Sequence, residues 1–215
     1  MQAINSHVWL ASYPRSGNTF LRTVLWHCFG LRSASLYPSD LGGNRVLEEY
    51  VGHLEHGPNL RAQLEANGIA LVKTHEPPMD AAPAIYVIRD GRAASVSLWR
   101  FGQKGIPLAA VIEGRHRFGT WAAHVGAWNP KERPNTLLLR YEELKDELPG
   151  ALAKVSRFLG KPVISERVPP RNEIAASDGV WVRQESSWRT ELQGKDLARF
   201  NEIGGDVLRA YGYGD

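Results

Sequence analysis

Three groups of residues in this chain have the types and spacing to handle a small anionic ligand. The first is Arg15-Ser16-Gly17-Asn18-Thr19-Phe20. Gly17 permits a tight turn and close approach of a ligand. The amides after it open a helix, whose N-terminus offers free N–H groups and the positive end of the helix dipole. Ser16, Asn18 and Thr19 add side-chain donors, and Arg15 adds a permanent charge in a bidentate fork. Together they read as a phosphate cradle, although a plain strand-to-helix turn would use some of the same residues. The pattern is not a Walker A loop, which needs Lys-Ser/Thr directly after its last glycine, where this chain has Asn18-Thr19.

The second group is Leu71-Val72-Lys73-Thr74-His75-Glu76-Pro77, at the end of an apolar run. A histidine there suits removal of a proton from a hydroxyl or amine near neutral pH, with Lys73 close by as a cation. The competing reading is a hydrogen-bonded structural histidine. The third group is Arg89 with Ser97, where an apolar run passes into a helix. A guanidinium and a hydroxyl converging on one phosphate make a sound anion site. His53 and His56 are spaced as a possible metal pair, but no third ligand accompanies them, and they read as a solvated helix face.

The elements that must position these groups are legible. Val8–Ala11, Ile69–Val72, Ala84–Ile88 and Thr136–Leu139 are apolar almost throughout, as strands buried on both faces are. Helical spacing marks Asn18–Phe29, Gly91–Phe101, Trp121–Trp128, Pro149–Leu159 and Asp196–Tyr211. This alternation predicts an α/β fold: a P-loop-like three-layer domain with a central, mostly parallel sheet flanked by helices. In such sheets ligands bind beyond the carboxyl ends of the strands, where all three groups fall. Arg32–Asn67 is polar with a helical middle around Val46–Leu54, and Gly160–Gln193 is mixed. With Gly102–Gly119, the Arg32–Asn67 stretch is expected to shape an acceptor pocket.

The 215 residues suit one domain, residues 1–215. Cys28 is the only cysteine, so an intrachain disulfide is impossible. The first residues lack a basic patch followed by an apolar core, and no apolar run is long enough for a bilayer, so a cytoplasmic protein is expected. A formal net charge of +3 favours small anions and is too weak to argue for nucleic acid. The expectation is no nucleic-acid and no membrane partner, with the oligomeric state open.

The loop Tyr13-Pro14-Arg15-Ser16-Gly17-Asn18-Thr19-Phe20 closely resembles the 5′-phosphosulfate loop of the sulfotransferases that use 3′-phosphoadenosine 5′-phosphosulfate (PAPS), usually Tyr-Pro-Lys-Ser-Gly-Thr-Thr-Trp. Lys73-Thr74-His75 matches that family's Lys-Thr-His, and Arg89 with Ser97 matches its 3′-phosphate pair. Trp121-Ala122-Ala123-His124-Val125-Gly126-Ala127-Trp128 and Tyr141-Glu142-Glu143-Leu144 resemble two further segments. The resemblance implies His75 as general base, with Arg15 and Lys73 neutralising charge on the transferring group. It implies PAPS held by Arg15, Ser16, Gly17, Asn18, Thr19, Phe20, Arg89, Ser97 and Tyr141, without a metal. Arg15 stands for the usual Lys and Phe20 for the usual Trp. Near the C-terminus the family's Arg-Lys/Arg-Gly and Gly-x-Trp are reduced to Arg183 and Trp188 at shorter spacing, so Arg183 is an even candidate for the 3′-phosphate. The alternatives are a P-loop-type small-molecule kinase and a non-catalytic nucleotide-binding protein on the same fold. Nothing in the sequence names the acceptor.

Overall fold

The computed structural model describes residues 7–102, 105–170, 173 and 187–214. Four of its strands occupy the four apolar runs: β1 (His7–Ala11), β3 (Ala70–Thr74), β4 (Ala84–Ile88) and β5 (Thr136–Arg140). The fifth, β2 (Ala34–Ser35), is a two-residue edge strand inside the polar stretch, too short to carry a periodic signal. The sheet order is β2-β3-β1-β4-β5, with every pairing parallel.

Nine helices can be followed through the described residues. They are α1 (Asn18–Phe29), α2 (Arg45–Val51), α3 (Leu60–Ala66), α4 (Gly91–Gly102), α5 (Leu108–Ile112), α6 (Trp121–Trp128), α7 (Tyr141–Asp146), α8 (Leu148–Leu159) and α9 (Gly194–Ala210). The period of two along each strand divides the core. Val8 and Leu10 of β1, with Ile85 and Val87 of β4, pack against Leu21, Val24 and Leu25 of α1 and Leu152 and Val155 of α8. Trp9 and Ala11, with Tyr86 and Ile88, pack on the other face against α4, α5, α6 and α9. Both faces of the sheet are covered, which is why the strand sequences are apolar throughout rather than alternating.

The chain moves from β1 to one side of the sheet for β2 and β3, then crosses to the other side for β4 and β5. The carboxyl ends of β3, β1 and β4 therefore lie side by side, at the reversal where open α/β sheets bind ligands. The helical middle of Arg32–Asn67 is present, but α2 stops at Val51 because Gly52 turns left-handed at φ 65. That turn sends the next residues inward. His53, expected on a solvated helix face, is instead 7% exposed and bridges to Ser33. His56 is exposed but bonds the Ser35 carbonyl through Nε2 at 2.6 Å. Among the described residues no helix is long and apolar enough to cross a membrane.

Candidate active site

The loop after β1 is built as a clamp. Arg15 takes φ 66 and Gly17 takes φ 104, both left-handed. The first is uncommon for a side-chain-bearing residue and costs about 1–3 kcal/mol unless the surroundings enforce it. Here they do. Arg89, one residue past β4, donates from Nη1 to the Arg15 carbonyl at 3.0 Å. Ser97, on α4, accepts from Arg15 Nε at 3.3 Å. Arg15 also lies over the Phe101 ring, 4.5 Å from its centroid.

Tyr141 closes the other side of this loop. A Cβ on Gly17 would stand 2.5 Å from Tyr141 Cδ2, so only glycine fits beneath the ring. The Arg89 guanidinium sits 4.7 Å from the same ring's centroid, and Phe20 meets it edge-on at 6.5 Å. Asn18 lines the cavity with its backbone neighbours, but its amide nitrogen is engaged within the fold. Asn18 Nδ2 points into the fold, to the Leu10 carbonyl at 2.8 Å and Ser12 Oγ at 3.3 Å. This anchors the loop to β1, while Asn18 Oδ1 is buried with no hydrogen-bond partner among the described residues. Ser16 Oγ is fully buried without a hydrogen-bond partner among the described residues. Thr19 lines the cavity.

His75 follows β3 directly. Its Nδ1 lies 2.7 Å from the Ser12 carbonyl, which can only accept, so Nδ1 carries the proton and Nε2 keeps its lone pair. The Tyr37 ring stacks on the imidazole at 5.8 Å and 21°, and Phe118 meets it edge-on at 5.7 Å. Tyr37 also accepts the His75 backbone N–H at 2.8 Å. From behind, His124 donates from Nε2 to the His75 carbonyl at 3.0 Å, leaving His124 Nδ1 to accept the Tyr86 hydroxyl at 2.8 Å. Burial first, then the nearby Lys73 charge, hold the His75 pKa well below the ordinary histidine value. The ring is neutral at physiological pH, as a proton acceptor must be.

Lys73 points into a buried cluster. Its Nζ is 2.5 Å from Asp40 Oδ1, and Asp40 Oδ2 is 2.6 Å from Arg22 Nη1. Burial lowers the Lys73 pKa to about 8 while Asp40 pulls the other way. Arg22 further donates to Ser33 Oγ at 2.8 Å and to His53 Nδ1 at 2.7 Å. His53 is therefore an acceptor in this cluster. Among the described residues no group of three or more His, Cys, Asp or Glu is placed to hold a metal ion.

One cavity of about 840 Å³ joins these parts. Arg15, His75, Arg89, Ser97 and Tyr141 line it together, with Lys73 in its wall. Trp188, of the C-terminal segment, lines it too. Arg183 lies outside the described residues. Tyr37, Asp40, Phe118 and His124 form parts of the site that sequence reasoning did not single out. Tyr37 and Phe118 fall in the two stretches expected to shape an acceptor pocket. His124 lies in a recognised segment, but nothing in the sequence says that it reaches the His75 backbone.

Residues 5–174 match the model of the sulfotransferase domain. Sulfotransferase 1E1 of Homo sapiens is 27% identical over 181 residues, covering 74% of this chain and 60% of that protein. Luciferin sulfotransferase of Photinus pyralis is 25% identical over 207 residues, covering 77% and 54%. The chain thus spans little more than half the length of these relatives. Among solved structures, mouse sulfotransferase SULT7A1 complexed with PAP superposes with a TM-score of 0.62 at 19% identity, covering 97% of this chain and 86% of that one. Retinol dehydratase in complex with androsterone and PAP gives 0.66 at 22% identity, covering 94% and 80%. These likenesses show the same fold.

Proposed function

We propose that this chain, which belongs to the sulfotransferase domain family, moves a sulfuryl group from PAPS to a hydroxyl or amine of an acceptor. The observation that carries this reading is one cavity that holds both an anion clamp and an oriented neutral histidine. The clamp fits a phosphate-bearing nucleotide: a left-handed glycine under an aromatic ring, helix-opening amides and two guanidinium groups around one loop. Similar structures that carry PAP support the choice of nucleotide.

PAPS, when bound, supplies the sulfuryl group and departs as 3′-phosphoadenosine 5′-phosphate (PAP). The chain's own residues do the rest. The Arg15–Thr19 loop holds the 5′ side, Arg89 and Ser97 hold the 3′-phosphate with Arg183 as a further candidate, and Phe20 and Tyr141 border the base. His75 Nε2 takes the acceptor's proton, with Nδ1–H fixed on the Ser12 carbonyl so that the ring cannot turn. Its basicity rises when the Lys73 charge beside it is offset. Arg15 and Lys73 oppose negative charge that grows on the transferring group, and such positioning and electrostatics supply most of the acceleration.

Calorimetric titration with PAP, ADP and ATP, with and without Mg²⁺, tests the reading. Metal-independent binding that needs the 3′-phosphate supports it. Preference for Mg·ATP would move the chain to small-molecule phosphoryl transfer, and absence of binding to all three would leave a scaffold.

A further inference from the structure

Below the cavity, two cations share one carboxylate. Asp40 accepts from Arg22 at 2.6 Å and from Lys73 at 2.5 Å, and the three side chains are only 0–4% exposed. The other hydrogen-bond acceptors of Arg22, Ser33 and His53, are neutral, and Glu48 of α2 acts on it from further off. A buried ion pair is by itself weak evidence for stability. Asp40 and Lys73 line the cavity wall, while Arg22 lies behind them.

The chain takes trouble to bring Asp40 there. β2 runs beside β3, with Ser35 opposite Lys73, and the Leu36 N–H bonds the Lys73 carbonyl at 3.0 Å. Past Tyr37, which stacks on His75, the backbone passes through three consecutive left-handed residues, Leu41 (φ 63), Gly42 (φ 65) and Gly43 (φ 72). Leu41 is not a glycine, so this turn is held against a local preference. The same segment thus sets one side of His75 and the counter-charge of Lys73.

We propose that Asp40 is a positioning residue of the transfer site, fixing the Lys73 ammonium at the cavity wall and keeping it charged where the sulfuryl oxygens gather negative charge. This rests on the sulfuryl-transfer reading above. The groups facing the pair are Arg22 from α1, Arg15 from the loop after β1, Glu48 from α2, His53, His75 and the Tyr37 ring, 5.6 Å from Lys73 Nζ. Arg22 and Arg15 oppose protonation of Lys73, and Asp40 offsets them. The Asp40 carboxyl is itself pushed up by burial but held well below the usual carboxylate range by Lys73 and Arg22, so it stays ionised. Without the carboxylate, Lys73 gives up its proton at lower pH.

The test is calorimetric affinity for PAPS from about pH 7 to 9.5, where the ligand's phosphate, with its second pKa near 6, holds a constant charge. Lys73 is protonated below its pKa, so wild-type affinity should hold at pH 7 and fall as pH rises through about 8. In Asp40→Asn, which keeps the shape, the fall should begin about one unit or more lower, leaving binding about fivefold or more weaker at pH 8 than wild type. In Lys73→Met the step should vanish, and adding Asp40→Asn to that variant should change the pH dependence no further. An Asp40→Asn loss that is equal at every pH, or that persists in the Lys73→Met background, would make Asp40 merely structural and overturn the proposal. Should Asp40→Asn not fold, Asp40→Glu decides. Its retained charge should keep the step near the wild-type pH, and a step displaced downward by a unit would refute the idea. If wild-type protein does not bind PAPS at all, the sulfuryl-transfer reading falls and takes this one with it. A wild-type step that Asp40→Asn leaves in place sinks this proposal alone.

Discussion

His75 has its proton assigned by the fold: Nδ1 is committed to a carbonyl and Nε2 is the remaining base. His75→Ala should nearly abolish turnover and leave PAP affinity mostly intact, because the anion clamp is made by other residues. Near-normal turnover in that variant would remove His75 from the chemistry. Arg89 does two things at once, bonding the strained Arg15 carbonyl and lying over Tyr141. Arg89→Ala should weaken PAP binding by about 1.5–3 kcal/mol, roughly ten- to a hundredfold, as expected for a charge-assisted bond. An unchanged dissociation constant would contradict the clamp. Gly17→Ala meets two obstacles, a φ of 104 and the Tyr141 ring 2.5 Å from the new Cβ. It should destabilise the protein by about 1–3 kcal/mol and lose nucleotide binding, read from urea titration and calorimetry.

At the scale of elements, α6 is the prop behind the site. Its cap is Thr120, whose hydroxyl oxygen accepts the Ala123 N–H at 3.0 Å. Its interior carries His124, which bonds the His75 carbonyl. Thr120→Ala should cost about 1 kcal/mol in urea unfolding with an unchanged slope. The helix is held on α4 at one close point, where a Cβ on Gly91 would run into the Trp121 ring. Gly91→Ala should therefore overpack this contact and cost about 1–3 kcal/mol. Stability equal to wild type would show that Trp121 can swing aside freely. On α4 itself Arg92, 5% exposed, pairs with Asp90 and lies 4.2 Å from the Trp188 ring centroid. The helix after β4 thus ties the C-terminal part of the chain to the cavity.

For the molecule as a whole, buried neutral histidines set the acid limit. Burial lowers His53 and His124 from the ordinary 6.5 to about 4, with Arg22 adding to the effect on His53. Between those values the unfolded chain binds protons that the folded chain refuses, so stability falls as pH drops below 6.5 and levels off below about 4. For the buried His124 this loss is up to about 3 kcal/mol at 1.36 kcal/mol per unit. The ionised Asp40 adds a second loss at more acid pH, because its depressed pKa favours the folded state above the ordinary carboxylate range. Melting temperature should therefore drop between pH 7 and pH 4.5, and His124→Phe should flatten part of that slope. A melting temperature constant over this range would mean that these histidines protonate in place.

Sequence alone determined the parts whose signals are local. Four strands follow from continuous apolar runs, α1 and α6 from helical spacing, and the candidate loop from residue types at fixed offsets. Those signals survive because both sheet faces are covered and the links from β1 to α1 and from β4 to α4 are short. Other features were decided in three dimensions. Asn18 turned inward because the carbonyl end of β1 needed a partner, and His53 became buried because Gly52 ended α2 and turned the chain. Asp40 meets Lys73 across 33 positions, and His124 meets His75 across 49. No spacing rule connects residues so far apart. Only the packing of β2 beside β3, and of α6 beneath the end of β3, brings their polar atoms within bonding distance.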